Sequence, residues 1–532
     1  MLKENSIFRG FVSKILTRKN PEDMLKKASE AGLEKTLTAI DLIVLGIGAI
    51  IGSGIFAVVG IAAAGDAGTV GAGPALVVSM IIATIACIFS ALCYSEFATM
   101  IPVAGGAYTY TFATLGEFAA WMVGWVLMLE YVVGYIAVAC AWSNHFMQFI
   151  KGFDAYLPSW FVNPPIWLTG DYKSVVDTLT AAGTSLSTIP TICGIPCCIN
   201  LPALIIVAII SGILIKGTKD STKMTTIMVV VKLAVIALFV LAGAFFVKPE
   251  NWVPFAPNGL NGVFMGAFVI FFAYIGFDAI ATCAEECKNP QKDLPIGIIG
   301  SLLGTTLVYT LVALVLTGMY DTSSANIAEG FLKAPMAYVM GLANMNWAAG
   351  LISIGSLAGL TSVLLVLQLA ATRILYAMSR DNFLPRVFQK LHPKFKTPHI
   401  LTILVGVVSI VGTLTLDLNN AAQLCNFGTF TSFIIICVAV LILRKLDPDR
   451  PRPFKVPFSP LFPILGVVCC GGLMLCSLKS MCTSASLFSI WLVIGVLIYL
   501  QYGYVQNRKA EICVTEKDSI INSENDKELV NK

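Results

Sequence analysis

Three ionisable side chains lie deep within apolar runs of this chain: Glu130 in MLEYVVG, Lys232 in IMVVVKLAVIALF and Asp278 in FFAYIGFDA. Charge in hydrocarbon is costly, and a residue that keeps it there marks a binding site, an ion path or a proton relay. The chemistry open to these three is capture of an opposite charge and reversible protonation. Covalent catalysis has no support. The chain carries neither an HExxH metal helix nor a GxSxG nucleophile elbow, and no GxxxxGK[ST] phosphate loop that would feed a nucleotide-driven pump. His145, His392 and His399 stand apart from the cysteines, so no zinc spacing arises. The expectation is a non-enzyme with no cofactor.

A fourth feature is chemical without being charged. Gly48 to Phe56 reads GAIIGSGIF inside an apolar run. Glycine and serine weaken a helix where lipid offers no replacement hydrogen bonds, and each unsatisfied backbone group there costs several kcal/mol. A break survives only if protein, water or a ligand satisfies the freed groups. Free N–H groups at a new helix start favour an anion, and free carbonyls favour a cation. An amino acid zwitterion offers both. A second reading is close packing, since Gly48 and Gly52 fit a small-xxx-small helix contact. The sixth run has its own interruption at Ala273, Gly276 and Asp278. Paired breaks in corresponding spans of two halves point to a transporter binding site.

The elements that must hold these residues are membrane spans. Of the 532 residues, 57% are hydrophobic and 12% charged, about half the charged share of a soluble domain. A span needs about 20 apolar residues. Twelve runs qualify, near 39–64, 74–99, 117–142, 201–216, 223–247, 260–283, 294–318, 347–372, 399–416, 421–443, 461–479 and 485–505. The polar stretch before the first is too long and too charged for a signal peptide, so that span is expected to be retained. Segment 100–116, which lacks Lys and Arg, is expected to be a short helix along the inner mouth. With the N-terminus inside, 29 of the 35 Lys and Arg fall on the cytoplasmic side, which orients both termini inward. The division is a cytoplasmic segment 1–38, a membrane domain 39–505 and a disordered cytoplasmic tail 506–532. The net charge of +4 gives no sign of nucleic acid as a partner. Most cysteines read as small core residues; Cys193, Cys197 and Cys198 lie in a long outer loop where a disulfide is permitted.

Three stretches, AIDLIVLGIGAIIGSGIFAVVG, FFAYIGFDAIATCAEECKNPQKDLPIGI and RILYAMSRDNFLP, resemble the amino acid–polyamine–organocation superfamily. The nearest likeness is to its cationic amino acid transporter branch and the bacterial relatives of that branch, over about residues 35–505. The resemblance implies an all-α integral membrane protein of twelve transmembrane helices. It would be a leucine-transporter-type 5+5 inverted repeat plus two extra helices, with helices 1 and 6 broken. It also implies a site. A substrate carboxylate would meet the amides of Ser53 and Gly54. The α-ammonium would meet carbonyls near Ile50 and those of Phe272, Ala273 and Ile275, with Phe272 as a gate.

Lys232 lies about nine residues, or about 14 Å at 1.5 Å per residue, from the cytoplasmic end of its span, too deep to snorkel easily. In sodium-coupled members of this fold a cation sits between spans one and eight. In this branch a span-five lysine occupies that place, which implies coupling to protons. The other reading is a permanently charged structural pin. Glu130 could receive the cationic end of a lysine or arginine substrate, or be a protonated, hydrogen-bonded carboxyl. Asp278 would lie near the pocket floor or organise the unwound backbone. Glu96, Glu285, Glu286 and Arg373 read as inner-gate pairs or solvated ends. Leu367, in GLTSVLLVLQLAATR of span eight, would shorten the cavity and favour smaller neutral amino acids, unless it is a core or lipid-facing leucine.

The expected activity is therefore secondary active transport of L-amino acids across a bacterial inner membrane, by proton symport with alternating access. An amino acid exchanger is the alternative, and a non-transporting sensor a third reading.

Overall fold

The computed structural model describes residues 17–22, 24, 37–66, 69–103, 105–154, 156–181, 183, 189–192, 195–196, 198–217, 219–323, 327–478 and 481–503. The tail from 506, Cys193, Cys197 and the side chains of Glu285 and Glu286 lie outside the described residues, as do the expectations placed on them. The rest is almost entirely helical. Among the described residues, eight helices are long and apolar enough to span a bilayer. A ninth span comes from Ala39–Ile50 and Gly54–Ala64, joined across a break with a 44° bend. Three further apolar helices are 16 or 17 residues long. The chain is an all-helical integral membrane protein, and each of the twelve apolar runs is helical over most of its length.

Helix α1 (Ala39–Ile50) starts at a capping box. The Thr38 hydroxyl accepts from the Asp41 amide, and the Asp41 carboxylate accepts from the Thr38 amide at 2.9 Å, which satisfies two donors a helix start leaves open. The helix stops at Ile51, which is extended (ψ 105°). A π-helical turn, Gly54–Val58, then runs into α2 (Val59–Ala64). Next come α3 (Leu76–Met100), the short helix α4 (Gly106–Thr114) and α5 (Glu117–Lys151). The long loop that follows holds a helix at Tyr172–Ala181 and a two-stranded antiparallel ladder, β1 (Thr191–Ile192) and β2 (Ile195–Pro196), with Ile192 opposite Ile195. Asn200 caps α6 (Leu201–Lys216), and α7 (Lys219–Gly243) follows.

The sixth apolar run begins as α8 (Gly259–Phe271), tightens into a 3₁₀ turn at Phe272–Tyr274, and opens at Ile275 and Gly276 before a second 3₁₀ segment, Phe277–Glu286. Gly276 has φ +119°, a conformation open to glycine and unfavourable for other residues. Then come α9 (Pro290–Met319), a short α10 (Pro335–Leu342), α11 (Asn346–Arg380), α12 (His399–Thr415), α13 (Leu418–Leu446), α14 (Leu461–Ser477) and α15 (Cys482–Ile498).

Two groups of helices pack within themselves. Helices α1, α3, α8 and α9 form one; α5 with α11, and α6 with α12, form the other. Helix α7 lies on α11, and α13 lies on α5. Helix α15 joins α5 through Trp125 and Trp491. Their rings stack at 4.3 Å, and each indole N–H donates to the other residue's carbonyl, at 2.8 and 3.1 Å.

Charges near the ends of α3 and α11 are tied down. Glu96, fully buried on α3, takes two bonds from the Arg444 guanidinium (2.9 and 2.5 Å) and one from the Val456 amide (2.7 Å), with Arg452 at 3.5 Å. Arg373 is exposed. Lys19 pairs with Asp381 at 2.5 Å beside the Tyr108 hydroxyl, fixing the stretch before α1 to α4 and to the end of α11.

Candidate functional site

The two interruptions face each other. A Cβ on Gly54 would lie 2.3 Å from Ala273 Cα, and one on Gly276 would lie 3.1 Å from the Ala49 carbonyl. The glycines that weaken the first span are therefore what lets the backbones of the two breaks touch. Gly52 meets α11 in the same way, with Val363 Cγ2 2.7 Å from its would-be Cβ.

The contact leaves backbone groups to be accounted for. Among the described residues, no acceptor is found for the amides of Gly52, Ser53 and Gly54. They lie at the start of the continuous helical segment Gly54–Ala64, where the helix dipole is positive. On the other side of the break, the carbonyls at the end of α1 find side-chain donors. Lys232 of α7, fully buried, donates to the carbonyl of Gly48, to that of Ile51 at 2.7 Å and to the Ser362 hydroxyl of α11 at 3.2 Å. Ser362 in turn donates to Gly359 at 2.7 Å, so its oxygen meets the lysine as an acceptor. Three acceptors match the three N–H bonds of an ammonium group.

Between the breaks is a cavity of about 20 Å³, room for about one or two water molecules. Ile50, Ser53, Gly54, Phe272, Ile275 and Leu367 line it, together with Ala49, Gly52, Gly134, Val138, Val363 and Cys425. Apart from backbone and the Ser53 hydroxyl, that lining is apolar. Six of the residues singled out in the sequence thus share one cavity wall. Ala273 sits directly behind it against Gly54.

Glu130 and Asp278 are not part of the lining. Glu130, Gly134 and Val138 share one face of α5 at i, i+4 spacing, so Glu130 lies one turn away from the cavity. It is buried, with Ser432 at 3.5 Å from one carboxylate oxygen and no partner for the other among the described residues. Asp278, also buried, accepts from the Tyr131 hydroxyl at 2.5 Å. A layer of buried acid groups therefore underlies an apolar cavity.

Some residues of the site escaped sequence reasoning. Tyr309 of α9 donates to the Ile50 carbonyl at 3.0 Å and to the Ala273 carbonyl at 2.9 Å. Its signal was a hydroxyl inside an apolar run, which must find a buried partner. Gly134 and Cys425 also line the cavity, with Cys425 Sγ 3.2 Å from the Glu130 carbonyl.

A family model described as amino acid permease matches residues 37–500, which spans both breaks, Lys232 and every lining residue. The chain belongs to the amino acid permease family. Two proteins of Bacillus subtilis (strain 168) are similar to this permease over nearly their whole length. The branched-chain amino acid permease BcaP is 41% identical over 92% of this chain and 97% of its own. The methylthioribose transporter is 40% identical over 92% and 98%. The chloroplastic cationic amino acid transporter 9 of Arabidopsis thaliana is 33% identical over 86% of this chain and 76% of its own. The permease is a membrane transport protein and not an enzyme.

Proposed function

We propose that this permease is a secondary active transporter of L-amino acids in a bacterial plasma membrane, working by proton symport with alternating access. The observation that carries the reading is the pairing at the first break: bare amides at Gly52, Ser53 and Gly54 on one side, and carbonyls drawn to a buried lysine on the other. The amides suit a carboxylate. Ile50, Phe272, Ala273 and Ile275 offer carbonyls to the α-ammonium. Ser53 and Gly54 hold the acid end, and Phe272 closes over the ligand.

The apolar lining favours a neutral side chain. Leu367, Gly134, Val138, Val363 and Cys425 present no charge where a guanidinium would reach. This agrees with the branched-chain amino acids for which the Bacillus subtilis permease BcaP is named. A methylthioribose-like sugar has neither carboxylate nor amine to match the bare amides, so the zwitterion is the better fit. Glu130 and Asp278, one turn beyond, would meet only a long cationic side chain or a second proton.

Lys232 supplies the coupling. Protonated, it fills three acceptors and fastens the broken first span to α11 through Ser362. Without its proton it has two N–H bonds and a lone pair, so one acceptor faces a lone pair and the fastening weakens. A proton thus does the work that a metal cation does in sodium-coupled relatives of the fold. The membrane domain is a twelve-span 5+5 inverted repeat with two added helices and both termini cytoplasmic, a reading supported by the opposed breaks in the first and sixth spans and by the Lys and Arg distribution. Exchange of one amino acid for another remains the alternative.

The test is uptake into proteoliposomes with and without an imposed pH step, against a competition panel of the common amino acids. Uptake should follow the pH step, ignore replacement of sodium by choline, and be competed best by small or branched neutral amino acids. Uptake that needs preloaded internal amino acid and ignores the pH step would establish exchange instead.

A further inference from the structure

The Tyr309 hydroxyl bridges the Ile50 carbonyl in the first break and the Ala273 carbonyl in the second. Among the described residues, no other donor to either carbonyl is found. Tyr309 comes from neither broken segment. It lies on α9, fully buried, with its ring set edge-on to Tyr274 at 5.3 Å, so the hydroxyl has little freedom to leave. A phenol has one proton and shares it between two acceptors. The carbonyls are therefore satisfied in part, and each keeps a lone pair for another donor.

These are two of the carbonyls assigned above to the substrate's α-ammonium. We propose that Tyr309 is a positioning residue that stands in for the substrate amine, holding the two breaks together when the carrier crosses the membrane unloaded. This role rests on the amino acid reading of the site. A loaded carrier brings its own N–H donors to the breaks. An unloaded one must close over the same carbonyls without them, and an unpaired carbonyl in a dry site is costly. The hydroxyl removes most of that cost from the return step alone.

The two steps can be separated experimentally. Net uptake needs the unloaded return; counterflow, in which labelled amino acid exchanges with unlabelled amino acid preloaded inside, uses loaded crossings in both directions. Tyr309→Phe keeps the ring and its packing and removes only the donor. In proteoliposomes, net uptake driven by a pH step should fall by about tenfold or more, the effect of leaving a buried acceptor unpaired. Counterflow of the same preparation should fall by less than about threefold. The ratio of the two fluxes does not depend on how much protein is folded, so partial misfolding cannot imitate the result. A thermal melt in detergent close to that of the unsubstituted protein adds a second check on folding. Equal losses in both modes, or no loss in either, would overturn the role. Unsubstituted protein that moves no amino acid in either mode would overturn the substrate reading itself, and this role with it.

Discussion

Gly54 and Ala273 touch backbone to backbone. A methyl group added at Gly54 would stand 2.3 Å from the Ala273 Cα and from its Cβ, a distance no real pair of carbons keeps. The two broken spans therefore meet at their weakest points, and each weakness exists to admit the other.

This yields a first prediction. Gly54→Ala should force the breaks apart, at an overpacking cost of about 1–3 kcal/mol, and should cut amino acid uptake by at least about tenfold. Gly212→Ala on α6, where a new Cβ meets nothing within 4 Å, should leave uptake unchanged. Uptake assays on the two variants at matched reconstitution decide the point. Wild-type rates from Gly54→Ala would mean that the contact does not govern the site.

Lys232→Ala removes the side chain that joins Gly48, Ile51 and Ser362. The expected result is uptake that no longer responds to an imposed pH step, with any residual flux limited to exchange. Retained acceleration by the pH step in this variant would reduce Lys232 to a structural pin.

Selectivity should follow the small residues at the side-chain end. A Cβ on Gly134 would sit 3.2 Å from Cys425 Sγ and 3.8 Å from Leu367 Cδ1. Gly134→Ala should therefore weaken competition by leucine relative to alanine by about tenfold, the scale of one methyl group in an apolar pocket. Leu367→Ser should act in reverse and admit longer or cationic amino acids. Competition profiles for both variants that match wild type would remove these residues from the specificity wall.

Glu96→Gln tests the charge cluster at the end of α3. Glu96 is fully buried and holds Arg444 and the Val456 amide. Loss of its charge leaves a partly exposed guanidinium without its counter-ion, a change worth about 1–2 kcal/mol after solvent screening. A melting temperature clearly below wild type is expected in detergent, and an unchanged one would show that Arg444 finds another partner.

Much of the fold was legible because lipid permits so little else. Runs of the right length had to be helices, and 201–216 matches the observed α6 residue for residue. The broken spans were legible as glycine and serine inside apolar runs, and the same glycines also serve close packing, Gly48 against Val229 and Gly52 against Val363. Depth was harder to read. Glu130 shares a helix face with Gly134 and Val138, yet it lies one turn away from the cavity, because spacing fixes the face and leaves the level to the partner helices. Tyr309 was illegible for a different reason. Its partners are main-chain carbonyls on two remote segments, and main chain has no letter in a sequence.

The interlocked tryptophans Trp125 and Trp491 bear on how such a machine moves. Two indoles, each gripping the other helix's backbone, weld α15 to α5. In the alternating-access reading proposed above, rocking helices need ballast to push against, and α15 adds its weight to the hull rather than to the oar.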